Sequence, residues 1–283
     1  MKGEEVNQIL IINKLTKSYG LLKKKKVLNG IEMVLERGKC LSIVGENGSG
    51  KTTLLKIIGS LLPYNSGKVT VNGKISYVPE ISSFFPYLTA GENMEYFDTL
   101  TGGSGNYKDM LNQFEIPIKG KNMVYFSKGM KRKIDIIRAL NANPSLLILD
   151  EPFDGIDPYS NKNIIEILKT SKERGVSIIM SSHDMGYVER IADQIMLLKG
   201  GVFKDISMIG KYEKRLVVQG EEKVIEDTMK NFSGIILKKD RDFILCLEKS
   251  DSANDLLKKL LDSGVRYIGE ETESLEQIYI KNL

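Results

Sequence analysis

The sequence predicts an α/β protein with a largely parallel sheet, followed by a small α+β segment. Three observations support this fold class. A glycine-rich turn joins an apolar strand-like run to a helical run near residue 45. Between residues 145 and 192 strand-like and helical patterns alternate, as is typical of a parallel sheet covered by helices. After about residue 209 the order of short strands and helices changes.

The N-terminal part and the middle of the chain predict two further regions. Strand-like runs at 9–15, 26–35, 68–71 and 74–78 indicate an antiparallel region. The last two runs flank Asn72 and Gly73, a pair typical of tight hairpins, so we expect those strands to pair with each other. From 88 to about 140 the pattern is mostly helical and predicts a helical subdomain.

The glycine-rich turn matches the phosphate-loop pattern G-x-x-x-x-G-K-[ST] in full. Its glycines let the backbone curl and turn several N–H groups toward one anion, and the following helix N-terminus adds positive charge. We expect Lys51 to reach the β- and γ-phosphates and the Thr52 hydroxyl to ligate Mg²⁺. The predicted loop residues are Gly45, Glu46, Asn47, Gly48, Ser49, Gly50, Lys51, Thr52 and Thr53.

A second apolar run, 145–149, ends in the two carboxylates Asp150 and Glu151. We expect Asp150 to hold Mg²⁺, usually through water, and Glu151 to lie beside the γ-phosphate and polarise an attacking water. Together with the phosphate loop, this pair predicts a site for Mg·ATP.

Just before that run, the segment 126–133 carries Phe-Ser-Lys-Gly-Met-Lys-Arg-Lys. Here the chain resembles the ATP-binding-cassette (ABC) ATPases, whose signature usually reads Leu-Ser-Gly-Gly-Gln. Ser127 and Gly129 are kept, and the resemblance implies that they bind the γ-phosphate in the opposite subunit. Lys128 replaces a glycine. This cation either strengthens ATP-driven closure or is simply solvated.

The resemblance to ABC ATPases assigns roles to further residues. Tyr19 matches the aromatic that stacks on adenine, and His183, the only histidine, matches the switch histidine that contacts the γ-phosphate. Glu80 stands where the family has a glutamine that links Mg²⁺ and water to the membrane partner; its carboxylate can still accept a bond from metal-bound water. Asp157 matches the acid of the dimer-contacting loop.

The resemblance covers roughly residues 5–210 and implies a P-loop NTPase core with antiparallel β and helical subdomains. We expect an ATPase domain at 1–208, with its helical subdomain at about 88–140, and an α+β accessory domain at 209–283. The segment 274–280 resembles, more weakly, the end of ATPases that serve bacterial exporters with separate permeases.

The implied function is an ATP-binding and ATP-hydrolysing subunit of an ABC transporter, in particular an exporter. Its expected partners are a membrane-spanning permease and a second ATPase chain, in a homodimer or a heterodimer around two ATP. A soluble mechanical ATPase acting on ribosomes or DNA is the alternative; it usually carries two cassettes or long coiled coils, which this sequence lacks. A catalytically silent subunit is opposed by the intact Lys51, Asp150, Glu151 and His183.

Charge and hydropathy bear on partners and compartment. The net charge of +4 is too small to argue for nucleic acid. No apolar run approaches the ~18 to 20 residues that cross a bilayer, and the first residues carry no secretion signal. The two cysteines are far apart and give no disulfide framework. We therefore expect a cytoplasmic protein on the inner face of the cell membrane, held there by its permease.

Overall fold

The structure, a computed structural model, describes residues 7–20, 25–103, 105–207, 214–232, 234–239, 241–247 and 252–270. The chain divides into two compact units, Met1–Asp205 and Ile206–Asn282. This division comes three residues before the predicted domain end at 208.

The described elements of the first unit include strands and helices, which alternate regularly from residue 146 to residue 199. The strands are β1 (Gln8–Tyr19), β2 (Lys25–Glu36), β3 (Cys40–Val44), β4 (Ser66–Val71), β5 (Ile75–Val78), β6 (Leu146–Leu149), β7 (Ser177–Ser182), β8 (Gln194–Lys199) and β9 (Val202–Asp205). The helices are α1 (Lys51–Ile58), α2 (Ala90–Thr101), α3 (Tyr107–Gln113), α4 (Lys128–Asn141), α5 (Pro158–Glu173) and α6 (Met185–Val188).

A six-stranded sheet in the order β5-β6-β7-β3-β8-β9 forms the centre of this unit. All neighbours run parallel except β8 and β9. Strands β3, β6 and β7 are buried at every position. A strand covered on both faces favours an apolar run over alternation. These strands are mainly apolar, and the serines among them are buried as well: Ser42, Ser177, Ser181 and Ser182. The predicted α/β class with a largely parallel sheet is confirmed.

An antiparallel sheet in the order β2-β1-β4 lies beside this core. The expected hairpin between β4 and β5 is wrong, because β4 pairs with β1 while β5 pairs in parallel with β6. Asn72 bonds to the first strand instead: its N–H donates to Ile9 O at 2.9 Å and its side-chain amide to Gln8 O at 2.9 Å. Gly73 has φ 148°, and an added Cβ would lie 2.5 Å from Ser145 Cβ. These two residues carry the chain from one sheet to the other.

The helical region comprises α2, α3, a 3-10 turn at Met123–Tyr125 and α4. Thr89 begins α2 with a capping box, in which its hydroxyl accepts from the Glu92 N–H and the Glu92 carboxylate accepts from the Thr89 N–H. Met94, Leu111 and Ile134, one from each helix, share a buried core. α4 thus packs on α2 and α3 through one face while its N-terminus lies at residues 127–129.

The second unit is an α+β module. Its described elements are β10 (Lys214–Gln219), α7 (Glu222–Met229), β11 (Gly234–Lys239), β12 (Asp242–Leu247), α8 (Ala253–Asp262) and β13 (Arg266–Glu270). The four strands form an antiparallel sheet in the order β11-β12-β10-β13. Leu216, Ile225, Leu245 and Leu256 belong to its core. The exporter-like segment 274–280 lies outside the described residues.

Candidate active site

The phosphate loop connects β3 to α1, and its glycines are required by geometry. Gly48 and Gly50 have φ of 81° and 111°, in the left-handed region that favours glycine. A Cβ on Gly45 would lie 2.6 Å from Leu198 O, and one on Gly50 would lie 2.8 Å from Val27 Cγ1. The loop is therefore held against its neighbours in a curl that larger residues would disturb.

Lys51 is nearly buried at the start of α1, with 6% of its surface exposed. Its ammonium donates to Gly45 O at 2.7 Å and to Glu46 O at 3.3 Å. It also lies 3.6 Å from Glu151 Oε1. The loop carbonyls and Glu151 thus hold the lysine at the mouth of the loop.

Asp150 follows the carboxyl end of β6 and accepts three hydrogen bonds. Thr52 donates to Oδ1 at 3.1 Å, Ser181 to Oδ1 at 2.7 Å and Tyr77 to Oδ2 at 3.2 Å. Burial, followed by the Asp150 charge, raises the pKa of Tyr77 far above its usual range. The phenol therefore remains a proton donor to Asp150.

Glu151 has φ 46°, a conformation that is uncommon for a residue with a side chain. Its N–H donates to Ser181 Oγ at 2.9 Å, and its Oε2 lies 2.9 Å from His183 Nδ1. The residue is 9% exposed. The strained turn after β6 thus directs this carboxylate between Lys51 and His183. Sparsely populated backbone conformations of this kind cluster at functional sites.

These residues border one cleft of about 550 Å³. The cleft is lined by Val27, Asn47, Gly48, Gly50, Lys51, Thr52, Thr53, Glu80, Glu151, Asp154 and His183. The structure therefore brings most of the predicted phosphate loop together with Glu80, Glu151 and His183, three of the predicted residues that lie far from it in sequence. Gly45, Glu46, Ser49 and Asp150 are not part of this lining, and Gly45, Glu46 and Asp150 bond to residues of it as described above.

Tyr19 lies at the edge of the phosphate-loop helix. Its hydroxyl is 3.4 Å from Thr53 Oγ1, and the Lys17 ammonium lies 4.9 Å from the centre of its ring. Tyr19 is 43% exposed. A half-exposed aromatic ring next to the loop has a face available for a flat ligand.

Ser127 and Gly129 do not line this cleft. Ser127 is exposed and caps α4, where its hydroxyl accepts from the Met130 N–H at 3.2 Å. Gly129 is buried, and an added Cβ would lie 2.6 Å from Ser160 Oγ. Lys128 extends to Asp154 Oδ2 at 3.0 Å, on the protein surface. Within one chain these residues are separate from the phosphate loop.

Asp157 caps α5, where its Oδ1 accepts from the Ser160 N–H at 2.9 Å. This bond is the main cause that lowers the pKa of Asp157. In the described structure, Asp157, the acid of the predicted dimer-contacting loop, therefore caps a helix of its own chain.

Sequence reasoning gave no individual role to Tyr77, Ser181, Asp154 or Arg132. Tyr77 and Ser181 donate to Asp150, Asp154 lines the cleft, and Arg132 bonds the main chain at Glu80 and Glu151. Tyr77 and Ser181 belong to apolar strands, whose pattern does not reveal a hydrogen-bonding partner. Arg132 stands in a basic run, and only its position on the buried face of an amphipathic helix could have indicated burial.

The donors at Asp150 fit a divalent cation next to a triphosphate. Mg²⁺ is usually held by one or two protein oxygens plus phosphates and waters. Thr52 and Asp150 supply such oxygens at 3.1 Å from each other, and Glu80 lines the same cleft. Among the described residues, no group of three or more His, Cys, Asp and Glu side chains forms a metal cluster.

The fold and the site define a P-loop ATPase of the cassette class. The ABC transporter family model matches residues 28–154. The linearmycin resistance ATP-binding protein LnrL of Bacillus subtilis (strain 168) is 36% identical over 203 residues, which are 65% of this chain and 64% of LnrL. The lantibiotic transport ATP-binding protein SrtF of Streptococcus pyogenes is 35% identical, over 68% of this chain and 88% of SrtF.

Solved structures agree with these relatives. The dimeric post-hydrolysis structure of the ATP-binding cassette MJ0796, bound to ADP and Pi, superposes with a TM-score of 0.62 and 25% identity. The superposed region covers 69% of this chain and 97% of the MJ0796 chain. The chain belongs to the ATP-binding proteins of ABC transporters and is an ATPase of that family. The predicted protein family and the predicted enzyme class, an ATPase, are confirmed.

Proposed function

We propose that this chain hydrolyses ATP to drive a separate membrane permease that exports its substrate. The observation that carries the proposal is the position of Glu151, whose carboxylate lies 3.6 Å from the Lys51 ammonium and 2.9 Å from His183 Nδ1. This arrangement brings Lys51 of the phosphate loop, Glu151 after β6 and His183 after β7 together in one cleft. The names of LnrL and SrtF, which refer to resistance and lantibiotic transport, support the exporter direction.

ATP binding rests on the phosphate loop. The curled backbone between Gly45 and Gly50 and the N-terminus of α1 present N–H groups to phosphate oxygens. Lys51 exchanges its bonds to loop carbonyls for bonds to phosphate, and the Tyr19 ring stacks on the base. Thr52 and Asp150 would hold Mg²⁺ through their oxygens, and Glu80 lines the same cleft. Mg²⁺ supplies neutralisation of the charge on the phosphates.

In hydrolysis, Glu151 orients and polarises the attacking water, since its carboxylate lies 3.6 Å from the phosphate-binding lysine and lines the same cleft. His183 contacts Glu151 through Nδ1 and holds the carboxylate toward the cleft. Its ring lines the same cleft, where it would contact the γ-phosphate. Ser181 fixes the main chain at Glu151, so the carboxylate needs little reorganisation before reaction.

A second ATPase chain completes each site. Ser127 and the N-terminus of α4 lie outside the cleft of their own chain, so their hydroxyl and N–H groups can face the phosphate of a partner. Homodimer and heterodimer are both compatible with this arrangement.

A surface near Glu80 suits the permease. Ile81, Tyr87 and Tyr125 are each more than two-thirds exposed, and the Val124 N–H donates to Pro86 O, which joins the loops that carry the two tyrosines. Large contiguous patches of exposed apolar groups mark interaction sites, and we propose that these three residues form part of one. No described helix is long and apolar enough to cross a membrane. We infer that the chain acts at the cytoplasmic face of the cell membrane, where its permease holds it.

The variant Glu151→Gln tests the proposal. The amide cannot polarise water while ATP still bridges two chains, so we expect Mg-ATP to trap a dimer in size-exclusion chromatography. Lys51→Ala is the matched control, which abolishes ATP binding and stays monomeric. A Glu151→Gln chain that remains monomeric with Mg-ATP would refute a homodimeric site and direct the search to a heterodimer. Tight ATP binding by Lys51→Ala would refute the assignment of the loop.

Co-purification in mild detergent separates the proposed function from its alternative. A membrane protein with several spanning helices supports the transporter, whereas recovery of ribosomes or DNA supports a soluble mechanical ATPase.

A further inference from the structure

Arg132 is an almost completely buried cation on α4, with 2% of its surface exposed. Its Nη1 donates to Pro79 O at 2.6 Å, and its Nη2 donates to Glu80 O at 2.6 Å and to Glu151 O at 3.4 Å. One guanidinium thus joins the loop after β5 to the loop after β6.

The surroundings of Arg132 keep this cation in place. Burial lowers the pKa of Arg132, while the charges of Asp135, Asp150, Glu80 and Asp154 raise it. A guanidinium remains protonated in proteins and presents five donors in a fixed planar fork. Such a group can satisfy several carbonyls at once and fixes the distance between them.

We infer that Arg132 is a positioning residue for ATP hydrolysis, which holds the main chain of Glu80 and of Glu151 in register through its fork. The inference rests on the proposed roles of these two carboxylates. Arg132 does not line the ATP cleft. Its effect therefore passes through the carbonyls that it binds. A displacement of the exposed Ile81, the neighbour of Glu80, would then reach the main chain at Glu151.

Arg138 offers a matched comparison on the same helix. It donates to Ser83 O at 3.0 Å, pairs with Asp135 at 3.0 Å and lies 4.4 Å from the centre of the Phe97 ring. Arg138 therefore anchors the same loop from the same helix and is also largely buried. The contacts of Arg138 described above involve neither Glu80 nor Glu151. If Arg132 only anchored this loop, substitution of either arginine should have the same effect on ATP hydrolysis.

The experiment compares Arg132→Gln and Arg132→Lys with Arg138→Gln in the full-length chain. Steady-state ATPase kinetics, binding of a fluorescent ATP analogue and thermal unfolding are measured for each. We expect Arg132→Gln to lower kcat by about tenfold or more, because small displacements of reacting groups cost rate steeply. Its ATP affinity should stay within about twofold, since the phosphate loop is untouched. Arg132→Lys should restore part of the loss.

The control separates positioning from stability. Arg138→Gln should lose as much thermal stability as Arg132→Gln and keep most of its kcat. The inference is overturned if Arg132→Gln keeps kcat, if its ATP affinity falls with kcat, or if Arg138→Gln loses kcat equally. If Arg132→Gln does not fold, Arg132→Lys decides by the same criteria. Glu151→Gln is measured alongside as a test of the proposed function. If Glu151→Gln hydrolyses ATP as fast as the unaltered chain, or if neither hydrolyses ATP, the proposed function itself has failed and not this inference alone.

Discussion

The Ser181 hydroxyl donates to Asp150 Oδ1 over 2.7 Å at the carboxyl edge of the central sheet. The Ser181 hydroxyl oxygen also accepts a hydrogen bond from the N–H of Glu151 at 2.9 Å. Parallel pairing of β6 with β7, with Leu149 opposite Met180, brings the two strand ends side by side. One buried hydroxyl therefore orients both carboxylate residues of the site.

Replacement of Ser181 by alanine should weaken both the fold and the reaction. The Glu151 N–H would be left buried without its acceptor and Asp150 would lose a donor, at a cost of about 1–3 kcal/mol in the free energy of unfolding. Urea unfolding measures the loss, and ATPase assays should show a lower kcat. Ser182→Ala is the control, because the described bonds of that hydroxyl involve only Asp184. Equal stability of Ser181→Ala and the unaltered chain would contradict the prediction.

Replacement of Tyr77 by phenylalanine removes only the hydroxyl that Asp150 accepts. We expect half-maximal ATPase activity to require more Mg²⁺, because one fixed donor no longer orients the carboxylate. The raised pKa of Tyr77 means that the phenol keeps its proton through pH 9.5, since its ionisation would only begin at higher pH. The kcat ratio of the unaltered chain to Tyr77→Phe should therefore be constant from pH 7 to about 9.5. A ratio that approaches one as pH rises would show that Tyr77 ionises in this range.

The sequence predicted well those features that depend on local pattern. The phosphate loop, the apolar strands β3, β6 and β7 and the strand-to-carboxylate junction at Asp150 are encoded by contiguous residues. The parallel sheet then brings Glu151 and His183 together, because both follow the carboxyl ends of adjacent strands. The in-trans roles of Ser127 and Gly129 stay predictions.

Features that depend on distant contacts were not predictable. The turn at Asn72 and Gly73 has the local chemistry of a hairpin, yet β5 pairs with the buried β6 and not with β4. The local sequence around a strand does not show which sheet the strand joins. Arg132 is similar: its burial follows from carbonyls of residues 79, 80 and 151, which only the folded chain assembles.

Cys40 should be chemically inert in the native protein. Burial in β3 raises the pKa of its thiol to about 12, with Asp193 adding to the rise and Lys172 opposing it. With Cys246→Ser, Cys40 is the only thiol. We expect negligible labelling by a thiol-directed reagent at pH 8, and complete labelling in urea. Labelling of the native variant at the rate of the unfolded chain would contradict the predicted burial.

Gly129→Ala tests whether this glycine is required by packing. A methyl group there would meet Ser160 Oγ at 2.6 Å and Ser160 Cβ at 2.8 Å. We expect a loss of about 1–3 kcal/mol, the usual cost of overpacking. Ser160→Gly removes both atoms, so the double variant should unfold with less loss than the two single variants combined, a coupling that a double-mutant cycle measures.

The double variant of Gly129 and Ser160 also separates packing from phosphate binding. Alanine keeps the N–H that is proposed to meet the partner's phosphate, so ATPase activity should return together with stability. If stability returns while activity does not, the position is sensitive to the methyl group at the interface rather than within the chain. Additive losses in the cycle would mean that the contact with Ser160 does not explain the glycine, and the packing argument would fail.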